Sequence, residues 1–167
     1  MTRILGIDPG SRVTGFGIIE AHAQKAVFVT CGCIRTHTTD MPTRLHEIYT
    51  GLQSLIAQYQ PSVLAIEQVF VSRNVSSALK LGQARGAAIV AAVVQGLHVH
   101  EYAPNQIKQA VVGQGHAQKE QVQQMVKILL CLSAVPQADA ADALAVALCH
   151  LHTAQHQQQL AKAGILR

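Results

Sequence analysis

Four of the chain's nine acids stand where acids are out of place. Asp8 ends the apolar run Ile4-Leu5-Gly6-Ile7, and Glu67 ends Val63-Leu64-Ala65-Ile66, a segment of the same pattern. Asp139 and Asp142 lie three apart in the Ala-rich stretch Gln137-Ala138-Asp139-Ala140-Ala141-Asp142-Ala143-Leu144. Singly, most have ordinary readings. Asp8 before Pro9-Gly10 suits a turn, and Asp139 with Asp142 suits a helix start, where acids meet the positive end of the macrodipole. Glu67 is harder to dismiss, because Val69, Phe70 and Val71 follow it and an acid in an apolar run needs a partner or a metal. Together, four carboxylates repel and raise one another's pKa unless a cation neutralises them. An all-oxygen ligand set suits Mg²⁺, with Mn²⁺ as a substitute, and one or two ions per site remain open. Two such ions about 4 Å apart can activate a water and stabilise the leaving oxygen in phosphodiester hydrolysis.

That chemistry requires elements that bring the acids together. A run apolar at every position is what a central parallel strand needs, since both its faces are buried. If residues 4–8 and 63–67 are neighbouring strands in register, Asp8 and Glu67 lie side by side where those strands end, the place where α/β sheets build sites. Residues 4–8 and 15–19 read as a hairpin around Pro9-Gly10, and 26–34 as a third strand. An amphipathic helix opens at Pro42-Thr43, with Leu45, Ile48, Tyr49, Leu52, Leu55, Ile56 and Tyr59 at helical spacing, and Pro61-Ser62 breaks it. A fourth strand is expected over 63–69, an Ala-rich helix over 75–95 with Gly82 and Gly86 four apart, and a fifth strand over 98–102. Helices over 103–112, 118–130 and 138–152 follow, the last placing Asp139 and Asp142 on one face. This order predicts an α/β fold, a five-stranded mixed sheet flanked by helices, in one domain over 1–153. Residues 154–167, Gln-rich, read as a polar, flexible tail.

Composition bounds the function. At 167 residues, 49% apolar and 13% charged, the chain suits one globular domain. No uninterrupted apolar run approaches the roughly 20 residues of a bilayer span, and the N-terminus lacks a signal-peptide pattern, so no membrane role is expected and the cytoplasm is the expected compartment. Cys31, Cys33, Cys131 and Cys149 read as free thiols, because Cys31-Gly32-Cys33 has no second pair at zinc-finger spacing. The nine histidines are scattered and read as surface or hydrogen-bonded groups. The formal net charge is +4. Residues 73–127 carry Arg73, Lys80, Arg85, Lys108, Lys119 and Lys127 against Glu101 and Glu120, a cationic stretch suited to the phosphates that an acidic site repels.

The segments GIDPGSRVTGFG, AIEQVF, ALKLGQARGAA and PQADAADALAVA, in this order, resemble the bacterial RuvC Holliday (crossover) junction resolvases from about Thr2 to His152. The resemblance implies a ribonuclease H-like fold and a homodimer that nicks two strands of a four-way DNA junction symmetrically. It also implies a branch-migration motor as a partner. By the same resemblance Asp8, Glu67, Asp139 and Asp142 are the metal-binding catalytic acids. Phe70 matches an aromatic that stacks on an unpaired base near the crossover, with core packing as its alternative. Lys108 and Lys119 match basic residues near the scissile phosphate. Arg73, with Gln68 and Asn74, lies close enough along the chain to touch the DNA backbone. The 75–95 helix is the expected dimer element, since small residues let a partner helix approach closely. Two rivals remain. Asp8-Pro9-Gly10 with Gly15 and Gly17 also resembles the phosphate-binding hairpin of actin-like ATPases, but 167 residues leave no room for their second lobe. A catalytically silent junction binder would be expected to have lost an acid, and all four are present.

Overall fold

The computed structural model describes residues 2–22, 25–70 and 74–164. Three antiparallel strands come first: β1 (Thr2–Asp8), β2 (Val13–His22) and β3 (Lys25–Arg35). The chain then alternates through α1 (Met41–Tyr59), β4 (Val63–Glu67), α2 (Val75–Val94) and β5 (His98–Tyr102), and ends in α3 (Pro104–Val112), α4 (Lys119–Leu129) and α5 (Ala138–Lys162). The sheet order is β3-β2-β1-β4-β5, with β4 parallel to both β1 and β5. This is the expected five-stranded mixed sheet, of ribonuclease H-like form.

Alternation along the strands builds two cores. Leu5, Ile7, Ile18, Leu64 and Ile66 face α1 and α2, whereas Ile4, Ile19, Ala65 and Tyr102 face α3, α4 and α5. β1 and β4 are apolar at nearly every position because each is covered on both sides. α5 lies unusually close to the sheet, and glycines explain it. A Cβ at Gly6 would run into the Ala143 carbonyl, one at Gly15 into the Asp139 carbonyl, and one at Gly17 into the Leu144 side chain. With those side chains absent, the small face Ala140, Ala143 and Ala147 settles on β1 and β2. Pro42 lies in the first turn of α1, and the Asp40 carboxylate accepts from the Thr43 N–H at 3.0 Å, capping the helix.

Three elements differ from expectation. β4 ends at Glu67 rather than at 69: Gln68 N–H still reaches the Tyr102 carbonyl at 2.9 Å, after which Phe70 turns out to solvent. α5 runs ten residues past 152, through the Gln-rich segment to Lys162. Gln, Ala, Leu and Lys all favour helix, and the first breaker is Gly164 at φ 71°. Residues 154–162 therefore extend α5 instead of forming a separate coil. Third, α2 has the length and composition of a bilayer-crossing helix, 20 residues with a mean hydropathy of 1.2, which counting uninterrupted runs hid. Lys80 and Arg85 interrupt it, and only 22% of that stretch is buried within the chain.

Candidate active site

The parallel register of β1 and β4 pairs Ile7 with Ile66, which leaves Asp8 and Glu67 as adjacent strand ends. Both fall on the α5 side of the sheet, like Gly6 and Ala65 before them. Their carboxyls come within hydrogen-bonding reach of each other. The turn after Asp8 is held by Thr14, whose buried hydroxyl donates to the Gly10 carbonyl at 2.8 Å. Glu67 is held from behind: Arg85 of α2 donates through Nε to its carbonyl at 3.1 Å and pairs with Glu101 of β5. The first turn of α5, seated on Gly15, brings Asp139 and Asp142 over the same sheet edge.

The charges of the other three acids all reach Asp8. Asp8 is pushed up to about 8, first by burial and then by the charges of Glu67, Asp142 and Asp139. Glu67 is also raised, mainly by burial, while Asp8, Lys119 and Lys108 pull it back. Asp8 is the proton-holding member of the pair. Lys119, at the start of α4, sets its Nζ 2.7 Å from Asp142 Oδ2, and that contact raises the lysine. Lys108 of α3 joins Lys119, Glu67 and Asp142 in lining a cleft of about 170 Å³.

A divalent cation fits this donor set. Four half-buried carboxylates force a proton onto Asp8 when nothing else neutralises them, and a cation does the same work without the proton. As the side chains stand, no group of three or more acid, His or Cys residues among the described residues is arranged to hold a metal ion. Asp142 must release Lys119 to join one.

Phe70 is 61% exposed, so core packing does not account for it; it borders a second, basic pocket. Arg73 lies outside the described residues. Cys31, Cys33, Cys131 and Cys149 are free, and Cys33 receives a backbone hydrogen bond from Ala140. His150 is buried and satisfied: Nδ1 is 2.7 Å from the Tyr102 hydroxyl, and burial with the neighbouring His100 ring lowers it to about 4. Sequence reasoning missed Arg85 as the support of Glu67, and Gly15 as the seat of Asp139. It also missed Arg12 and Arg44 beside Phe70. Nothing in local spacing marks these, because their partners are distant in the chain.

A ribonuclease H-like sheet edge carrying four carboxylates beside two lysines defines a class, the divalent-metal-dependent nucleases of phosphodiester bonds. Residues 4–150 match the family described as crossover junction endodeoxyribonuclease RuvC. The chain is 60% identical over 164 residues to the crossover junction endodeoxyribonuclease RuvC of Shewanella amazonensis, covering 98% of this chain and 94% of the relative. To the Serratia proteamaculans protein of that name it is 62% identical over 156 residues, covering 93% and 90%. Its fold superposes on Thermus thermophilus RuvC in complex with Holliday junction substrate with a TM-score of 0.88, at 35% identity, covering 94% of this chain and 97% of that one. The chain belongs to the RuvC family of crossover junction endodeoxyribonucleases.

Proposed function

We propose that two copies of this chain bind a four-way (Holliday) DNA junction in the bacterial cytoplasm and make two symmetric nicks, serving recombination and repair. The observation that carries the reading is the gathering of Asp8, Glu67, Asp139 and Asp142 at one sheet edge, where burial first and then the charges of the other three raise Asp8. Asp8 and Glu67, with Asp139 or Asp142, would hold Mg²⁺, or Mn²⁺ in its place, and the ion would lower the pKa of a water and offset charge on the phosphoryl oxygens. Lys108 and Lys119, which line the same cleft as Glu67 and Asp142, hold the scissile phosphate. The water oxygen forms the new P–O bond in line with the departing 3′ oxygen. Water gives up a proton and the 3′ oxygen takes one, leaving 5′-phosphate and 3′-hydroxyl ends. Phe70 offers its exposed ring to an unpaired base at the crossover, and Arg73 contacts backbone nearby.

The exposed face of α2 supports the homodimer. Val75, Leu79, Val90, Val93 and Val94 are all exposed there, and Gly82 and Gly86 meet nothing within 4 Å. Single chains rarely leave such a face to water. A bilayer does not suit it, since each mid-helix cation costs about 2.5–3.5 kcal/mol there. A two-fold pair of chains also matches the two-fold symmetry of a junction needing two cuts. A branch-migration motor acting on the same junction is a further partner, proposed on family grounds alone. Replacement of Glu67 by Gln tests the assignment: junction affinity in EDTA should stay within about twofold and cleavage should vanish. A variant that still cuts with Mg²⁺ removes Glu67 from the metal site.

A further inference from the structure

Beyond the carboxylate cleft, the structure holds a pocket of about 410 Å³ whose lining includes Ser11, Arg12, Arg44, Phe70, Ser77 and Lys80. We infer that this pocket binds one backbone phosphate of the junction strand next to the scissile one, clamped jointly by Arg12, Arg44 and Lys80. The inference rests on the junction-nuclease reading and adds to it a second phosphate subsite.

Three separate segments deliver the cations. Arg12 comes from the β1–β2 turn, Arg44 from the first turns of α1, and Lys80 from α2. No acid lines the pocket. Ion pairs among the described residues engage Arg3, His22, Arg85 and Lys119, and none engages Arg12, Arg44 or Lys80. Three like charges gathered without a counter-charge repel one another, so an anion between them is favoured. The frame is set before any ligand arrives. Arg44 donates through Nε to the Thr38 carbonyl at 2.6 Å, which orients its guanidinium and leaves the terminal nitrogens for a ligand. Thr36 holds the Arg12 turn, with its N–H 3.0 Å from the Arg12 carbonyl and its hydroxyl 3.1 Å from the Ser11 carbonyl. Ser11 and Ser77 add hydroxyl donors of the kind that bind phosphate oxygens.

The position identifies the anion as nucleic acid. Ser11 follows Asp8 by three residues and Phe70 follows Glu67 by three, so neither lies more than roughly 11 Å from its carboxylate residue along the chain. On a strand rising about 3.4 Å per nucleotide, that is on the order of three nucleotides from the cut. The exposed Phe70 ring at the rim takes the base while the cations take the phosphate.

The test uses this whole chain with Asp8→Asn, so that binding is read without cleavage, and adds Arg44→Gln and Lys80→Gln singly and together. Affinity for a synthetic four-way junction and for linear duplex is measured across salt. One shared phosphate predicts that the slope of log affinity against log salt falls by no more than about 0.9 in all, each single change taking part of that and the double change not exceeding it. Between about 50 and 200 mM salt this amounts to roughly three- to fourfold in affinity. Single neutral methylphosphonates scanned along the strand should weaken the parent at one linkage within about three nucleotides of the cut, and leave the double variant indifferent there. Thermal melting confirms that each variant is folded. Slopes unchanged from the parent, slopes falling by about 1.8 in the double variant, or interference that persists in it overturn the shared subsite while the nuclease reading stands. A parent that does not prefer the junction over duplex overturns both.

Discussion

Asp8→Asn should make the metal-free protein more stable while abolishing its activity, and the size of the effect follows from the site. A buried carboxyl moved from 3.8 to about 8 holds a proton that the unfolded chain has released over most of that range. At about 1.4 kcal/mol per pH unit, the greatest destabilisation is roughly 5–6 kcal/mol near pH 8. Glu67 shares the proton and the site relaxes, so about 2–3 kcal/mol is expected. The sign is that of a raised acid: the folded state binds more protons, and stability falls as pH rises from 3.8 toward about 8. His150 runs the other way. Lowered from 6.5 to about 4, it makes stability rise with pH, but only up to 6.5. The window from about 6.5 to 8 therefore isolates the carboxylates. In EDTA, at one fixed protein concentration, the wild-type melting temperature should fall across that window. The Asn variant should stay nearly flat and melt about 5–10 °C higher at pH 8, since about 1 kcal/mol moves a domain of this size by 2–4 °C. Its amide still donates to Glu67 in place of the lost proton. Excess Mg²⁺ should restore the wild type at pH 8 and do less for the variant. A variant that melts below the wild type at pH 8, or that keeps its slope, would refute the reasoning.

Gly15→Ala puts a methyl against the Asp139 carbonyl, so α5 must lift; a loss of about 1–3 kcal/mol in melting is expected, with cleavage down about 100-fold and junction affinity kept. Unchanged cleavage would mean that Asp139 is not set by this contact. Lys119→Met frees Asp142 from its cation and should tighten Mn²⁺ binding two- to fivefold by calorimetry while slowing single-turnover cleavage; equal or weaker metal affinity would show that the lysine does not compete. Leu79→Glu, at a site 64% exposed, should leave melting of the monomer unit intact and shift sedimentation toward a single chain. A stable dimer after that change would move the interface off this part of α2.

The neighbouring acids were legible because two strands with the same apolar pattern imply one register, and the parallel Ile7–Ile66 pairing realises it. Asp139 and Asp142 were legible through helical spacing, but not their height above the sheet, which Gly6, Gly15 and Gly17 set from elsewhere in the chain. The end of β4 was missed because Val69 and Phe70 look like strand residues, whereas they serve a surface groove and a pocket rim. The length of α5 was missed because a Gln-rich run reads as solvated chain, although its propensities favour helix when the preceding turns are anchored in a core. Contacts such as Lys119 with Asp142, or Arg85 with the Glu67 carbonyl and Glu101, join residues 16 to 23 positions apart, and no local pattern encodes them.

The most direct test of the central claim is cleavage of a synthetic mobile four-way junction beside a linear duplex of the same sequence, with Mg²⁺ or with EDTA. The account predicts paired nicks at symmetric positions in two strands of like polarity, on the junction only and with Mg²⁺ only, leaving ends that ligase reseals. Junction binding without nicks in both Mg²⁺ and Mn²⁺, or nicks at equal rate in linear duplex, would contradict it.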